Sequence, residues 1–117
     1  MNKIFENKTI YLTRGDSAMF TFELNAGSNL FPDIQTLQDG DKVYFGLMEP
    51  NQMFENSILK KRFLNTDCEN KHEVSIKIDP KDTARLLPGR YYYQIKLEKS
   101  SGDVITIVDK KQFFILE

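Results

Sequence analysis

The chain has 117 residues and a mass of 13.7 kDa, enough for one domain that needs neither disulfide nor metal to hold its core. Hydrophobic residues make up 40% of it, with nine Phe and five Tyr, and 16 Lys+Arg stand against 17 Asp+Glu. That balance leaves no field of one sign to recruit a nucleic acid backbone, and the longest apolar run, Phe113 to Leu116, is far too short to cross a bilayer.

Met1 to Lys8 is polar and lacks the apolar stretch of a secretory signal, which predicts synthesis in a reducing cytoplasm, with residues 1–7 as a loose arm. From there the dominant period is two. Ile10 and Leu12 alternate with Tyr11 and Thr13, and Ala18, Phe20, Phe22 and Leu24 alternate with Met19, Thr21 and Glu23. In the segment 25–38, Phe31-Pro32 argues against a continuous helix; Leu30, Phe31, Ile34 and Leu37 are expected to point inward and cover one end. Val43, Phe45 and Leu47 then alternate with Tyr44, Gly46 and Met48. Ser57 to Leu64 is a less clean strand, expected to form a hairpin with 73–78 through the polar loop 65–71.

Val74, Ile76 and Ile78 continue the alternation, after which Asp79-Pro80-Lys81-Asp82 has the N-cap acid and first-turn Pro of a short helix. Pro88-Gly89 stops it. Tyr91, Tyr93, Ile95 and Leu97 then alternate with Tyr92, Gln94 and Lys96. Ser100 to Asp103 reads as a hairpin loop pairing 90–98 with 104–109, and Gln112 to Leu116 continues that strand across a bend at 109–111. These elements predict an all-β fold in a single domain, 1–117. It is an immunoglobulin-like antiparallel sandwich of seven to eight strands, with one short helix before the Tyr-rich strand.

In such sandwiches a Tyr at the corner entering a strand hydrogen-bonds back to the preceding connection. Gly89, Tyr91 and Tyr93 occupy that structural corner, with Tyr91 at the bonding position and Tyr93 pointing inward two residues on. Both hydroxyls need partners if buried, and a structural role suits them better than binding.

Taken in order, several strings carry a likeness: Tyr11-Leu12-Thr13-Arg14-Gly15-Asp16-Ser17, Gly40-Asp41-Lys42-Val43-Tyr44-Phe45, Ile78 through Tyr93 with its Asp-Thr-x-x-Leu-x-Pro-Gly-x-Tyr-x-Tyr pattern, and Gly102-Asp103-Val104-Ile105-Thr106-Ile107. Together they resemble small β-sandwich proteins of phages and prophages of Gram-positive bacteria, themselves similar to the N-terminal domain of upper baseplate proteins. The likeness runs from about Lys8 to the end. It implies a structural or assembly role in a virion tail or baseplate after synthesis in the host bacterial cytoplasm. It carries over no catalytic residue, and the receptor-facing parts of baseplate proteins have no counterpart here.

The remaining chemistry favours plain readings. One Cys, Cys68, cannot close an intrachain disulfide, and one His, His72, supplies no multi-histidine metal site. The two lie four apart on a polar loop, without an orienting third group or an oxyanion turn, so an exposed thiol is expected. Arg14-Gly15-Asp16 suits a turn better than an integrin ligand. The acid pairs Asp39/Asp41 and Asp79/Asp82 suit capping better than calcium, since Lys42 and Lys81 sit among them. Lys60-Lys61-Arg62 reads as edge-strand protection, with Lys61 facing opposite to its neighbours. No catalytic, metal or cofactor set emerges.

The alternation leaves Tyr11, Met19, Tyr44, Met48 and Tyr92 facing away from the core as candidate interface residues, with Tyr44 and Tyr92 as neighbours if strands 42–48 and 90–98 pair. The expectation is a non-enzymatic phage or prophage tail or baseplate protein. It would act through contacts with other subunits or with itself as a homo-oligomer, without nucleic acid or membrane. The alternative is a carbohydrate- or host-surface-binding module on the same sandwich, a reading weakened by the absence of Trp.

Overall fold

Two sheets pack face to face, and a computed structural model describes them over residues 1–117. The strands are β1 (Asn2–Ile4), β2 (Ile10–Thr13), β3 (Ala18–Glu23), β4 (Lys42–Met48), β5 (Leu59–Leu64), β6 (Glu73–Ile78), β7 (Gly89–Glu98) and β8 (Val104–Leu116), with a four-residue helix α1 (Pro80–Thr83) before β7. The large sheet runs β1-β2-β8-β7-β4-β5, and β3 pairs with β6 as a two-stranded second layer. All pairings are antiparallel except β2 with β8. The all-β sandwich and the single short helix match the sequence reading, whereas the antiparallel order expected throughout fails at β2–β8 and β1 is a strand that the alternation does not predict.

The strand alternation decides the core. Ile10, Leu12, Val43, Phe45, Leu47, Tyr91, Tyr93, Ile95 and Leu97 line the inner face of the large sheet. Ala18, Phe20, Phe22, Val74, Ile76 and Ile78 face them from the small one, all buried. The Asp79 N–H donates to the Asp82 carboxylate (2.7 Å), closing the first turn of α1. The Tyr91 hydroxyl donates to the Leu87 carbonyl (2.6 Å), the corner bond expected of it. Tyr93 finds its partner elsewhere: its hydroxyl donates to the Lys8 carbonyl (2.5 Å), and burial pushes its pKa up.

Four expectations are corrected. Residues 1–7 are no loose arm, because β1 pairs along β2 and the Met1 amino group donates to Thr13 Oγ1 (2.7 Å). Strands 57–64 and 73–78 do not pair: β5 joins β4 and β6 joins β3, so loop 65–72 crosses from one sheet to the other. Lys61 spans the gap between these two strands, donating to the Lys77 carbonyl (2.7 Å) and pairing with Asp82 (2.5 Å) and Asp79 (3.3 Å). Cys68 is buried in the core rather than exposed, and desolvation raises its thiol pKa. Of the segment 25–38 only Leu37 is buried, whereas Leu30, Phe31 and Ile34 stand in solvent. The bend at 109–111 is a register irregularity within one continuous β8.

Asp41 ties the chain entering β4 to the β7–β8 hairpin. Its fully buried carboxylate accepts from Lys99 Nζ (2.7 Å) and from the N–H groups of Gln38 and Ser100 (both 2.9 Å). Burial alone would raise its pKa; these donors outweigh that and hold it below the usual carboxylate value of 3.8. A depressed folded-state pKa gives stability that is complete at neutral pH and is lost as pH falls below ~4, through the folded pKa. The urea midpoint is therefore expected to drop below that pH more steeply in wild type than in Asp41→Asn, which is itself weaker at pH 7 by roughly 2 kcal/mol. Parallel pH profiles would count against this lock. Tyr91→Phe is expected to lower stability by about 1 kcal/mol at unchanged m-value, through loss of the Leu87 bond; an unmoved midpoint would remove the corner as a stabilising feature.

Candidate interaction face

The residues between the core positions of the large sheet form its outer face, and the register aligns them in rows. Lys3, Tyr11, Phe114 and Arg90 share one row; Gln112, Tyr92 and Met48 the next. Then come Gln94, Gly46 and Lys60, followed by Thr106, Lys96, Tyr44 and Arg62. Alternation on both sides of each strand pair is what puts aromatic and basic side chains together here.

Tyr11 stacks on Phe114 (centroids 4.8 Å apart, planes at 11°) and meets Phe5 edge-on at 5.4 Å, beside a surface depression of about 700 Å³ that Tyr11 and Gln112 help to line. Tyr92 lies between Arg90 and Lys110, each 5.7 Å from its ring centre. Beyond it, Phe54 is laid over Gly46, flanked by Lys60 at 4.7 Å and Lys96 at 5.0 Å. Gly46 makes this approach possible, since a Cβ there would stand 2.7 Å from Phe54 Cε1 and 2.5 Å from Ser57 Oγ. Lys110 Nζ also donates to the Gln52 carbonyl (3.0 Å), holding the segment after β4 against the sheet.

Cations outnumber acids on this face. Lys3, Lys60, Arg62, Arg90, Lys96 and Lys110 have no carboxylate within 4 Å, and only Lys42 is paired, with Glu98 at 4.0 Å. Three further acids stand among them: Glu6 at the depression beside Tyr11, Glu55 next to Phe54, and Asp109 at the bulge, whose pKa the Lys110 N–H and the Gln94 amide hold below the usual range. In a chain of net charge −1, seven of the sixteen Lys and Arg thus stand together on an aromatic surface.

Of the five predicted contact residues, Tyr11, Tyr44 and Tyr92 lie on this face, each half-buried. Met48 does not remain available: it is fully buried, outside the main core cluster. Met19 is exposed but sits on the far side of the sandwich, on the outer face of β3, so the five form no single patch. Tyr44 and Tyr92 are not neighbours, because Tyr44 lies opposite Lys96 and Tyr92 opposite Met48, with the Gly46–Gln94 row between them. The alternation within 112–116 could have placed Phe114 on the outward side of its strand, whereas Phe5 and Phe54 come from segments with no strand period to reveal them.

Elsewhere, His72 Nδ1 contacts Thr36 Oγ1 and the Gln35 carbonyl (both 3.3 Å), and the Cys68 thiol donates to the Leu64 carbonyl (3.7 Å). No group of three or more His, Cys, Asp or Glu side chains is placed to hold a metal ion, and no helix is long and apolar enough to cross a membrane. No protein-family model and no curated protein sequence matches the chain.

Gly46→Ala is expected to push Phe54 and Ser57 off the face and to destabilise by about 1–3 kcal/mol, read from the urea midpoint. A neutral substitution would show that the cover over β4 is not packed as described.

Proposed function

We propose that the protein is a non-enzymatic structural subunit of a phage or prophage tail or baseplate, working through protein–protein contacts at the outer face of the large sheet. The observation that carries the contact role is the joining of Tyr11, Phe114, Tyr92 and Phe54 with six unpaired cations on one rigid surface. Tyr and Arg are among the side chains that most often anchor protein interfaces, Tyr by burying large area with few rotatable bonds and Arg by its planar fork of donors. The tail assignment rests on the sequence resemblance, which covers the chain from about Lys8 onward.

Particles purified from a lysogen carrying this chain are expected to contain it in their tails, as read by mass spectrometry of the tail fraction. Arg90→Ala with Tyr92→Ala is expected to lower incorporation by about tenfold, equivalent to ~1.4 kcal/mol, with little change in denaturation midpoint. Absence of the chain from the particles would overturn the tail assignment. The aromatic cluster beside the 700 Å³ depression favours a second reading, stacking of a sugar ring on Tyr11. Saturable glycan binding abolished by Tyr11→Ala would support it.

A further inference from the structure

Residues 25–34 fold back on themselves as a small hairpin built to hold its tip still. Asn25 bridges Ile34, and the Asn25 side-chain oxygen accepts from the N–H groups of Gly27 and Asp33 (both 2.9 Å). The Ala26 N–H donates to the Asp33 carbonyl (2.9 Å), the Ser28 N–H to the Phe31 carbonyl (3.0 Å), and the Phe31 N–H to Ser28 Oγ (2.9 Å). A Cβ on residue 27 would fall 2.1 Å from the Phe31 carbonyl oxygen, so the turn closes only with Gly there. This rigid scaffold presents Leu30 at 79% and Phe31 at 75% exposure, two large apolar side chains with their backbone already ordered. Pre-ordering of that kind lowers the entropic cost of docking.

The segment that carries the tip is acidic in sequence. Residues 15–41 contain no Lys or Arg and five acids, of which Glu23 and Asp33 beside the hairpin have no cation within 4 Å. The hairpin follows β3 in the small sheet, while the cationic aromatic face is on the far side of the large sheet, so no chain can bring its own tip to its own face.

We infer that the Leu30–Phe31 tip of one copy docks on the outer face of the large sheet of a second copy, its apolar pair against the aromatic side chains and its acids against the unpaired cations. This rests on the reading of that face as a contact surface and names its partner. The contact is heterologous: each copy uses its tip on one neighbour and its face on another, so association propagates into a ring or a chain of copies. Complementary charge makes it weaken with salt.

The test uses wild type, a tip variant (Leu30→Ser with Phe31→Ser) and a face variant (Arg90→Glu with Lys96→Glu), each measured by light scattering behind size exclusion across a wide concentration range. Wild type is expected to rise in mass with concentration, and each variant alone to associate at least tenfold more weakly. Mixed in equal amounts, the variants are expected to stop at a dimer, because the face variant's intact tip meets the tip variant's intact face and no second contact exists. Monomeric wild type at every concentration, or a mixture no heavier than its parts, would overturn the inference. So would tip-dependent binding of monomeric wild type to phosphatidylglycerol vesicles, which would assign the tip to a membrane. If a double variant fails to fold, Phe31→Gln and Arg90→Gln serve in the same mixing experiment. The tail reading is judged separately by the particle fraction: copies found in tails while wild type stays monomeric would sink only self-docking, and association without incorporation would sink only the tail.

Discussion

Tyr93 stands where the two layers and the N-terminal chain meet, and the rest of the architecture depends on how its ring and hydroxyl are accommodated. The ring lies among Phe45 and Phe113 of the large sheet and Phe22 of the small one, at centroid distances of 5.8, 6.1 and 6.0 Å. Such a residue can be buried only if its hydroxyl is satisfied, and the Lys8 carbonyl does this from the turn between β1 and β2. One side chain therefore couples inter-sheet packing to the placement of β2 alongside β8. That parallel pairing in turn carries Tyr11 to the side of Phe114, where the outer aromatic cluster begins.

Polar ties at the rims hold the layers where apolar packing thins out. Asp41 and Lys99 join the approach to β4 with the β7–β8 hairpin at one end, and Tyr91 with Leu87 closes the corner at the other. Lys61 bridges β5, β6 and α1 along the edge where the sheets are not hydrogen-bonded to each other. Thr83, fully buried, accepts the Gly15 N–H at 2.9 Å and links the β2–β3 turn to α1. Arg14-Gly15-Asp16 is thereby engaged as a turn. These ties fix the rims between which the outer face of the large sheet is laid out.

Separation of charge within a nearly neutral chain is the feature that composition conceals. Lys60 and Arg62 face outward because they alternate with Lys61, and β5 is one of the two edge strands of the large sheet, with β4 as its sole partner. They therefore protect that edge and also extend a basic surface begun by Arg90, Lys96 and Lys110. The acids are placed differently: Asp41 and Asp82 in local locks, Glu23 and Asp33 near the exposed hairpin.

The seven strand segments from Ile10 onward, their inward residues, the short helix and the Tyr91 corner were legible in the amino-acid order, because each depends on periodicity or on hydrogen bonds spanning a few residues. How strands of similar pattern were shared between sheets was a tertiary outcome, since a polar loop such as 65–72 is equally able to close a hairpin or to cross from one sheet to the other. Tertiary packing also settled which outward residues stayed outside. Met48 obeys the alternation yet is fully buried, and Leu30 and Phe31, apolar enough for a core, are turned into solvent by the Asn25 and Gly27 hairpin. The contact face became visible only once register had brought residues from β2, β4, β5, β7 and β8 into rows, because adjacency across strands depends on pairing that no single strand's pattern contains.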